Sequence, residues 1–471
     1  MPITEAEMLT WCRRLLGADE ARHLDLEEYL DGIPRLDALS DLPPGTRVLV
    51  RGDVDAKPGA NVGEGDVRLR SMQQTLNAGR DRGFVQVIFG HIGRKPEGSL
   101  DKVAARLAEL LGADVPLVGD WWDESKQRVS SAAESQIREA QPGAVLLLEN
   151  TRRYDIERTL WKAKPQDLSQ HLTGLTRFAN AVSEQIADVY VHEALSAGSL
   201  DSSSTVVPAA MSRVALGKYL ASELEGPMLR CRRSKLVIFS GLKIDKLDDL
   251  EAIINRGQVE MVIAAGSLAM SLKKADARLA GGDFCLGVAE DPNHADKPYY
   301  ISPERVEQAS GMLAAGHERG LEFVLPLDFV LADGEAAEHL GPADQQFDVG
   351  PKSRAHFESK VSQFIASHAR GAGEPAAVFH NGVFGMFEDK RFEAGTRDFV
   401  PQLKRMKDAG LEVYVGGGEG GKALDKYGQP DWVTHCFTAG GTVLNALGND
   451  PIPYLQALYM AAHSRAGAAS R

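Results

Sequence analysis

Short apolar runs recur along the chain, separated by stretches with helical spacing. Val48–Val50, Val85–Phe89, Val145–Leu148 and Val189–Val191 each run directly into charge: Arg51 and Asp53, His91 and Arg94, Glu149 and Arg152, His192 and Glu193. From Lys235 onward the runs end on glycine instead, at Gly241, Gly266, Gly382, Gly416 and Gly440. Apolar runs this short, alternating with helical patterns, predict buried parallel strands with crossover helices, an α/β fold. Parallel sheets bind ligands at the carboxyl ends of their strands. The two kinds of strand end therefore predict two sites, one for a small anion and one for a nucleotide.

Residues 1–40 have the spacing of one or two amphipathic helices, with Leu24, Tyr29 and Leu30 set among acids, and Asp41–Gly45 punctuates the chain before the first strand. The segment near 151–180 is long and polar, an excursion from a minimal strand–helix unit. Pro208 and a helical spacing through Leu216, Leu220 and Leu224 precede Lys235–Phe239, which opens a second α/β series. The domain boundary is expected in that helix, with no flexible tether. The tail after Ser464, rich in small residues, is expected to be partly disordered.

At 471 residues two domains are expected, and 43% apolar with 25% charged residues is ordinary for a protein with real cores. A net charge of −13 argues against a nucleic-acid partner. Cys12, Cys231, Cys285 and Cys436 have no metal-like spacing and predict buried thiols of a reducing compartment. With Glu5 and Glu7 near the start and no run of ~18 apolar residues, neither a signal peptide nor a membrane span is expected. The expected location is cytoplasmic.

Gly416 to Gly421 follows a strand-like run and opens a helical one, where backbone N–H groups and the helix dipole favour phosphate. Its G-x-G-x-x-G match lacks the acid that a dinucleotide site places after the next strand, and as a Walker loop it has Ala423 where a hydroxyl should hold magnesium. Asn381, Gly382 and Glu388 share one loop, an amide and a carboxylate suited to a phosphate and a ribose. Lys243 and Lys246 follow Gly241, placed as point charges on a phosphoryl group. In the first half, Asp53, Arg68, His91, Arg94 and Arg152 lie at or beyond different strand ends. Three arginines converging there predict a phosphate or carboxylate pocket. Each feature alone also fits an ordinary turn or a solvated charge. His192-Glu193 lacks the second histidine of a zinc protease, and no G-x-S-x-G elbow occurs.

Together these pieces resemble the phosphoglycerate kinase family, in the family's order from about Thr46 to Gly448. They are Val48-Leu-Val-Arg-Gly-Asp53, Gly90-His-Ile-Gly-Arg-Lys-Pro96, Leu147-Leu-Glu-Asn-Thr-Arg152 and Asp188-Val-Tyr-Val191 in the first half. Gly241-Leu-Lys243, Leu325-Pro-Leu-Asp328, Val349-Gly-Pro-Lys352, Asn381-Gly382, Phe387-Glu388, Gly395-Thr396, Gly416-Gly-Gly418 and Thr438-Ala-Gly-Gly441 follow. The resemblance implies two doubly wound parallel-sheet, Rossmann-like domains joined by a helix and hinge. The acceptor-substrate domain would span 1–212, the interdomain helix 213–234 and the nucleotide domain 235–446, with 447–471 returning to the first domain. It also implies a monomer that transfers a phosphoryl group between ATP or ADP and the carboxylate of 3-phosphoglycerate, with magnesium. By resemblance Asp53, Asp55 and Arg68 meet the acceptor's carboxylate end, and His91, Arg94 and Arg152 hold its phosphate. Arg68, Lys243 and Lys246 attend the moving phosphoryl group. Gly241, Gly266, Asn381, Glu388, Gly416, Gly417, Gly418, Glu419, Gly440 and Gly441 surround the nucleotide, Glu419 on its magnesium.

Four departures stand against that pattern. Asp55 replaces the family's asparagine, and Ser199-Leu200 replaces a His-Arg pair. Glu419-Gly420 replaces a magnesium-linked Asp-Thr, and Lys246 follows Lys243 by three residues rather than four, a swing of about 100° if both lie on one helix. Arg153 is a candidate for restoring the lost positive charge. Three functions fit: the family's own kinase activity in a divergent but active member, a paralogue phosphorylating another carboxylate, and a nucleotide-binding relative with little turnover. Family kinase chemistry is the expectation.

Overall fold

The computed structural model describes residues 2–18, 24–57, 66–369 and 374–464; the tail after Ser464 lies outside them. Two compact units are present, one formed by Met1–Gly226 with Pro451–Arg471 and the other by Pro227–Asp450.

The first unit is built on six parallel strands: β1 (Arg47–Arg51), β2 (Val85–Phe89), β3 (Leu117–Val118), β4 (Val145–Leu148), β5 (Val189–His192) and β6 (Arg213–Leu216). Their order is β3-β4-β2-β1-β5-β6. The interior strands are mostly apolar because helices cover both faces, with Arg51, Gln86 and His192 the buried polar exceptions in β1, β2 and β5, and Val48, Val50, Ile88, Leu147 and Val191 share one core with Leu69, Leu76 and Leu107. The N-terminal residues form helices Glu5–Leu15 and Leu26–Gly32, each opened by a capping box, Thr4 with Glu7 and Asp25 with Glu28. The polar excursion is three short 3-10 segments at 151–153, 155–161 and 165–170, followed by helix Leu172–Gln185.

Residues 213–216 depart from the expected helix. The spacing of Leu216, Leu220 and Leu224 is helical, but Val214, Ala215 and Leu216 are buried and pair in parallel with β5, Val191 opposite Ala215. Helix Lys218–Glu223 begins only after that strand, and a π turn at Leu224–Met228 containing Pro227 follows. Proline lacks the N–H that would continue regular helix, and the division between units falls at this turn.

The second unit has strands β7 (Ser234–Gly241), β8 (Met261–Ala265), β9 (Glu322–Val324), β10 (Ala377–Asn381), β11 (Glu412–Gly416) and β12 (His435–Cys436). They pair in parallel in the order β9-β8-β7-β10-β11-β12, the doubly wound arrangement of dinucleotide-binding sheets. The order reverses between β7 and β10, and the crevice of such a sheet opens at the carboxyl ends of those strands. This unit extends to Asp450, so helix Gly441–Gly448 belongs to it, while helix Pro453–Ser464 packs on the first unit. There Tyr454 stacks on His192 with ring centroids 4.2 Å apart.

Two motifs noted in the sequence serve each other structurally. Asp328 is buried and accepts hydrogen bonds from Ser353 N at 2.7 Å, Lys352 N at 3.1 Å and Ser353 Oγ at 2.7 Å. It thereby caps the N-terminus of helix Pro351–His368. Asp328→Ala leaves buried donors unpaired and is expected to lower unfolding stability by about 2 kcal/mol or more. Denaturant unfolding measures this; a loss within ~0.5 kcal/mol would mean water replaces the cap.

Candidate active site

In the first unit, β1 carries Arg51 into the interior, where its side chain is 1% exposed. Buried guanidinium needs partners on every edge. Nε donates to Ser203 Oγ at 3.1 Å and Ser204 Oγ at 3.0 Å, and Nη1 donates to Gly52 O at 2.7 Å. Nη2 lies 2.9 Å from His91 Nδ1 and 3.6 Å from Asp201 Oδ2. Asp201, fully buried, accepts from Arg152 Nη2 at 3.2 and 3.3 Å and from Trp161 Nε1 at 2.8 Å, and His91 Nδ1 lies 3.2 Å away. The Trp161 ring lies 4.7 Å from the Arg152 guanidinium, and Arg152 Nη1 donates to Gly93 O at 2.6 Å.

Electrostatics follow from this packing. Burial alone would raise the Asp201 pKa, but the His91 contact and the charges of Arg152 and Arg51 hold it below the ordinary carboxylate value. Burial lowers the His91 pKa, against the opposing contact with Asp201, and its Nδ1 lies between Arg51 Nη2 and Asp201 Oδ2. Glu157 lies behind, accepting from Thr151 Oγ1 at 2.8 Å and from Ser203 N and Oγ at 2.8 and 2.6 Å. Burial, then the nearby Asp201 charge, raise it to about 7.

Arg68 is bound by two carboxylates of the loop after β1. Its Nη1 is 3.7 Å from Asp53 Oδ1 and 3.3 Å from Asp55 Oδ2, and donates to Asp55 O at 3.0 Å. Asp53 also accepts from Ser196 Oγ at 2.7 Å, and Asp55 accepts from Gly93 N at 2.9 Å. Arg94 is exposed on the turn after β2. Gly93, next to Arg94, joins the two groups: its carbonyl accepts from Arg152 and its N–H donates to Asp55, the partner of Arg68. Arg51 and Arg152 converge on Asp201, whereas Arg68 is engaged by two carboxylates. Arg153 is partly exposed, with its Nη1 3.6 Å from Glu149. Sequence reasoning missed Asp201, Glu157 and Trp161. The signal for Asp201 was its place beside Leu200, an altered position before a run of serines.

In the second unit, the crevice between β7 and β10 holds Lys246 and Asn381. Lys246 Nζ donates to Ser240 O at 3.0 Å and to Asn381 Oδ1 at 3.1 Å. Burial lowers its pKa, with Glu419 and Asp249 acting in the opposite sense. Lys243 is exposed and precedes helix Lys246–Asn255, so the two lysines do not share a helix and the expected 100° swing does not arise. Gly266 has φ +68, and a Cβ there would lie 2.7 Å from the Gly241 carbonyl oxygen. Gly382 has φ +94 and sits against the Ser240 carbonyl. Side chains at either position would force β7 and its neighbours apart.

Helices Gly266–Leu279, Gly417–Tyr427 and Gly441–Gly448 begin at the ends of β8, β11 and β12. Their first N–H groups lie at the edge where anions bind such sheets. A Cβ at Gly418 or Gly441 would meet nothing within 4 Å, whereas Gly416, Gly417 and Gly440 lie against Asn381 or one another. Glu419 is exposed in the first turn of its helix, and Glu388 is exposed on the turn after β10. Among the described residues no cluster of three or more His, Cys, Asp or Glu forms a metal cage. A single carboxylate beside bound phosphates is nevertheless the usual way proteins hold magnesium.

The comparisons agree with this architecture. The chain matches the phosphoglycerate kinase family over residues 39–450 and belongs to that family of carboxyl-accepting phosphotransferases. It is 30% identical over 452 residues to the phosphoglycerate kinase of Clavibacter michiganensis subsp. michiganensis, covering 90% of this chain and 98% of that one. With the Saccharomyces cerevisiae enzyme it shares 29% identity over 390 residues, 78% of this chain and 84% of the yeast protein. The phosphoglycerate kinase structure from Pyrococcus horikoshii OT3 shares its fold with a TM-score of 0.68 at 22% identity, covering 91% of this chain and 99% of the other.

The buried cluster makes Arg51 a stability determinant. Arg51→Met leaves Asp201 with one guanidinium fewer and is expected to lower unfolding stability by about 3–5 kcal/mol. Urea unfolding with matched m-values checks this; a loss below ~1 kcal/mol would show that Arg152 alone neutralises Asp201.

Proposed function

We propose that the chain reversibly transfers the γ-phosphoryl group of ATP to the carboxylate of 3-phosphoglycerate, giving 1,3-bisphosphoglycerate and ADP. The observation that carries this reading is the Lys246–Asn381 pair at the switch point of the second sheet, flanked by three glycine-led helix N-termini. Asn381 and the Gly416–Gly418 turn would meet phosphate oxygens, Gly241 and Gly266 would leave room for the base, and Glu388 would accept from ribose hydroxyls. Gly440 and Gly441 open the neighbouring helix to the same ligand. Glu419 is the residue that would hold magnesium, which supplies charge neutralisation on the phosphates when bound.

In the reaction a carboxylate oxygen of the acceptor attacks the γ-phosphorus, and the bond from that phosphorus to its bridging oxygen breaks. The electron pair leaves on ADP. The protein's part is positioning and neutralising charge. Arg68 orients the attacking carboxylate with Asp53, and Lys243, exposed beyond β7, follows the transferring group. Lys246 fixes Asn381 by its hydrogen bond and adds positive charge at the crevice. Arg94 remains open to an anionic acceptor. A second reading, transfer to a different carboxylate, is favoured by the engagement of Arg68 with Asp55 and of Arg152 with Asp201.

The two lysines have distinguishable signatures. Lys243→Ala is expected to lower kcat by about a hundredfold or more while ADP affinity changes little, because its charge acts on the transition state. Lys246→Ala is expected to weaken ADP binding as well, since Asn381 loses its partner. Steady-state kinetics with ADP calorimetry separates them; equal losses for Lys243→Ala would make it a ground-state phosphate tether. Titrating the intact protein with ADP and with NAD tests the nucleotide reading itself, and binding of NAD alone would defeat it.

A further inference from the structure

We infer that Asp201 is a specificity-determining residue: its carboxylate is an intramolecular anion that occupies the cradle of Arg51, His91 and Arg152 and discriminates against acceptors carrying a phosphate there. The acceptor class named here rests on the proposed phosphotransferase function. The cradle stands where ligands of a parallel sheet bind, at the carboxyl ends of β1, β2 and β4. Its donors converge on one point from three strands, and that point is filled by a side chain supplied from a fourth, on the loop after β5.

The fit of Asp201 is incomplete. A carboxylate offers two oxygens; Oδ1 serves Trp161 and Arg152, while Oδ2 lies near Arg152, His91 and Arg51. Arg152 Nε remains buried with no hydrogen-bond partner. A tetrahedral anion would bring more acceptor oxygens to the same donors. Asp201 is fully buried and Trp161 lies over Arg152, so a phosphate reaches these donors only by displacing the carboxylate. Acceptors that present only a carboxylate, held by Arg68 and the Asp53 loop, do not meet this competition.

Calorimetric titration of intact wild type and Asp201→Asn with 3-phosphoglycerate and with unphosphorylated glycerate tests the assignment. The amide keeps the shape and removes the competing charge. The variant is expected to bind 3-phosphoglycerate about tenfold tighter or more, with glycerate changed less than about threefold. In turnover the gain should appear in KM rather than kcat. Inorganic phosphate should raise the melting temperature of the variant by several degrees and leave wild type nearly unmoved. No gain in 3-phosphoglycerate binding overturns the inference, as does equal phosphate stabilisation of both proteins. A variant that stays unfolded even with phosphate present also overturns it, because Asp201 would then be only a structural partner. Absence of turnover by wild type with any carboxylate would defeat the kinase reading, while the two binding contrasts would still decide the role of Asp201.

Discussion

Burying Arg51 constrains the whole first unit. A guanidinium at the end of a central strand, almost wholly out of water, is tolerated only if each of its edges is matched. The loop after β5 answers that demand with Asp201, Ser203 and Ser204. Holding that loop in place requires Glu157 from the 155–161 segment to bind Ser203, which explains why the polar excursion folds as 3-10 turns against the sheet rather than as a separate hairpin. Arg152 and Trp161 then close over the same carboxylate. One charge on one strand thus fixes two loops.

The second unit meets the same geometric problem without charge. Its strands must also end at a ligand edge, but they end on glycines, and the backbone itself becomes the binding surface. Gly241 and Gly266 form a bridge between strand ends, and Gly382 lies against Ser240. Side chains would hold these strand ends apart, and the helix N-termini would then no longer share an edge. Lys246 is half-buried in this crevice and donates to the Ser240 and Asn381 oxygens, with Glu419 and Asp249 acting on it at longer range.

Much of this was legible in the sequence. Apolar runs located nearly every long strand because a parallel strand covered on both faces is a near-continuous apolar run. The glycine-ended runs located the switch-point crevice for the same reason that glycine is needed there. Less legible was β6, whose Leu216 sits in phase with Leu220 and Leu224 and imitates one helix face until pairing with β5 decides it. The first unit runs to Gly226 rather than residue 212 because β6 pairs with β5, and the second runs to Asp450 rather than residue 446. Site pairing was least legible. Strand ends announced that Arg68, Arg94 and Arg152 would be close, but not that Asp55 and Asp201 would claim two of them, because loop conformation chooses partners within a charged cluster.

The family match and the local departures have one physical explanation. The sheets and their glycine turns are fixed by packing, which tolerates little change, and they account for a match extending over residues 39–450. Anion-binding loops are held instead by charge balance, and balance has more than one solution. Leu200 brings no charge to the neighbourhood, and Asp201 beside it brings a negative one. Both residues push the same way, toward a cradle satisfied from within. A tethered carboxylate acts at an effective concentration set by its own loop, on the order of millimolar or higher, so it competes continuously with any free anion. The scaffold of the phosphotransferase is thereby kept while the charge balance of one loop is met by a residue of the chain itself.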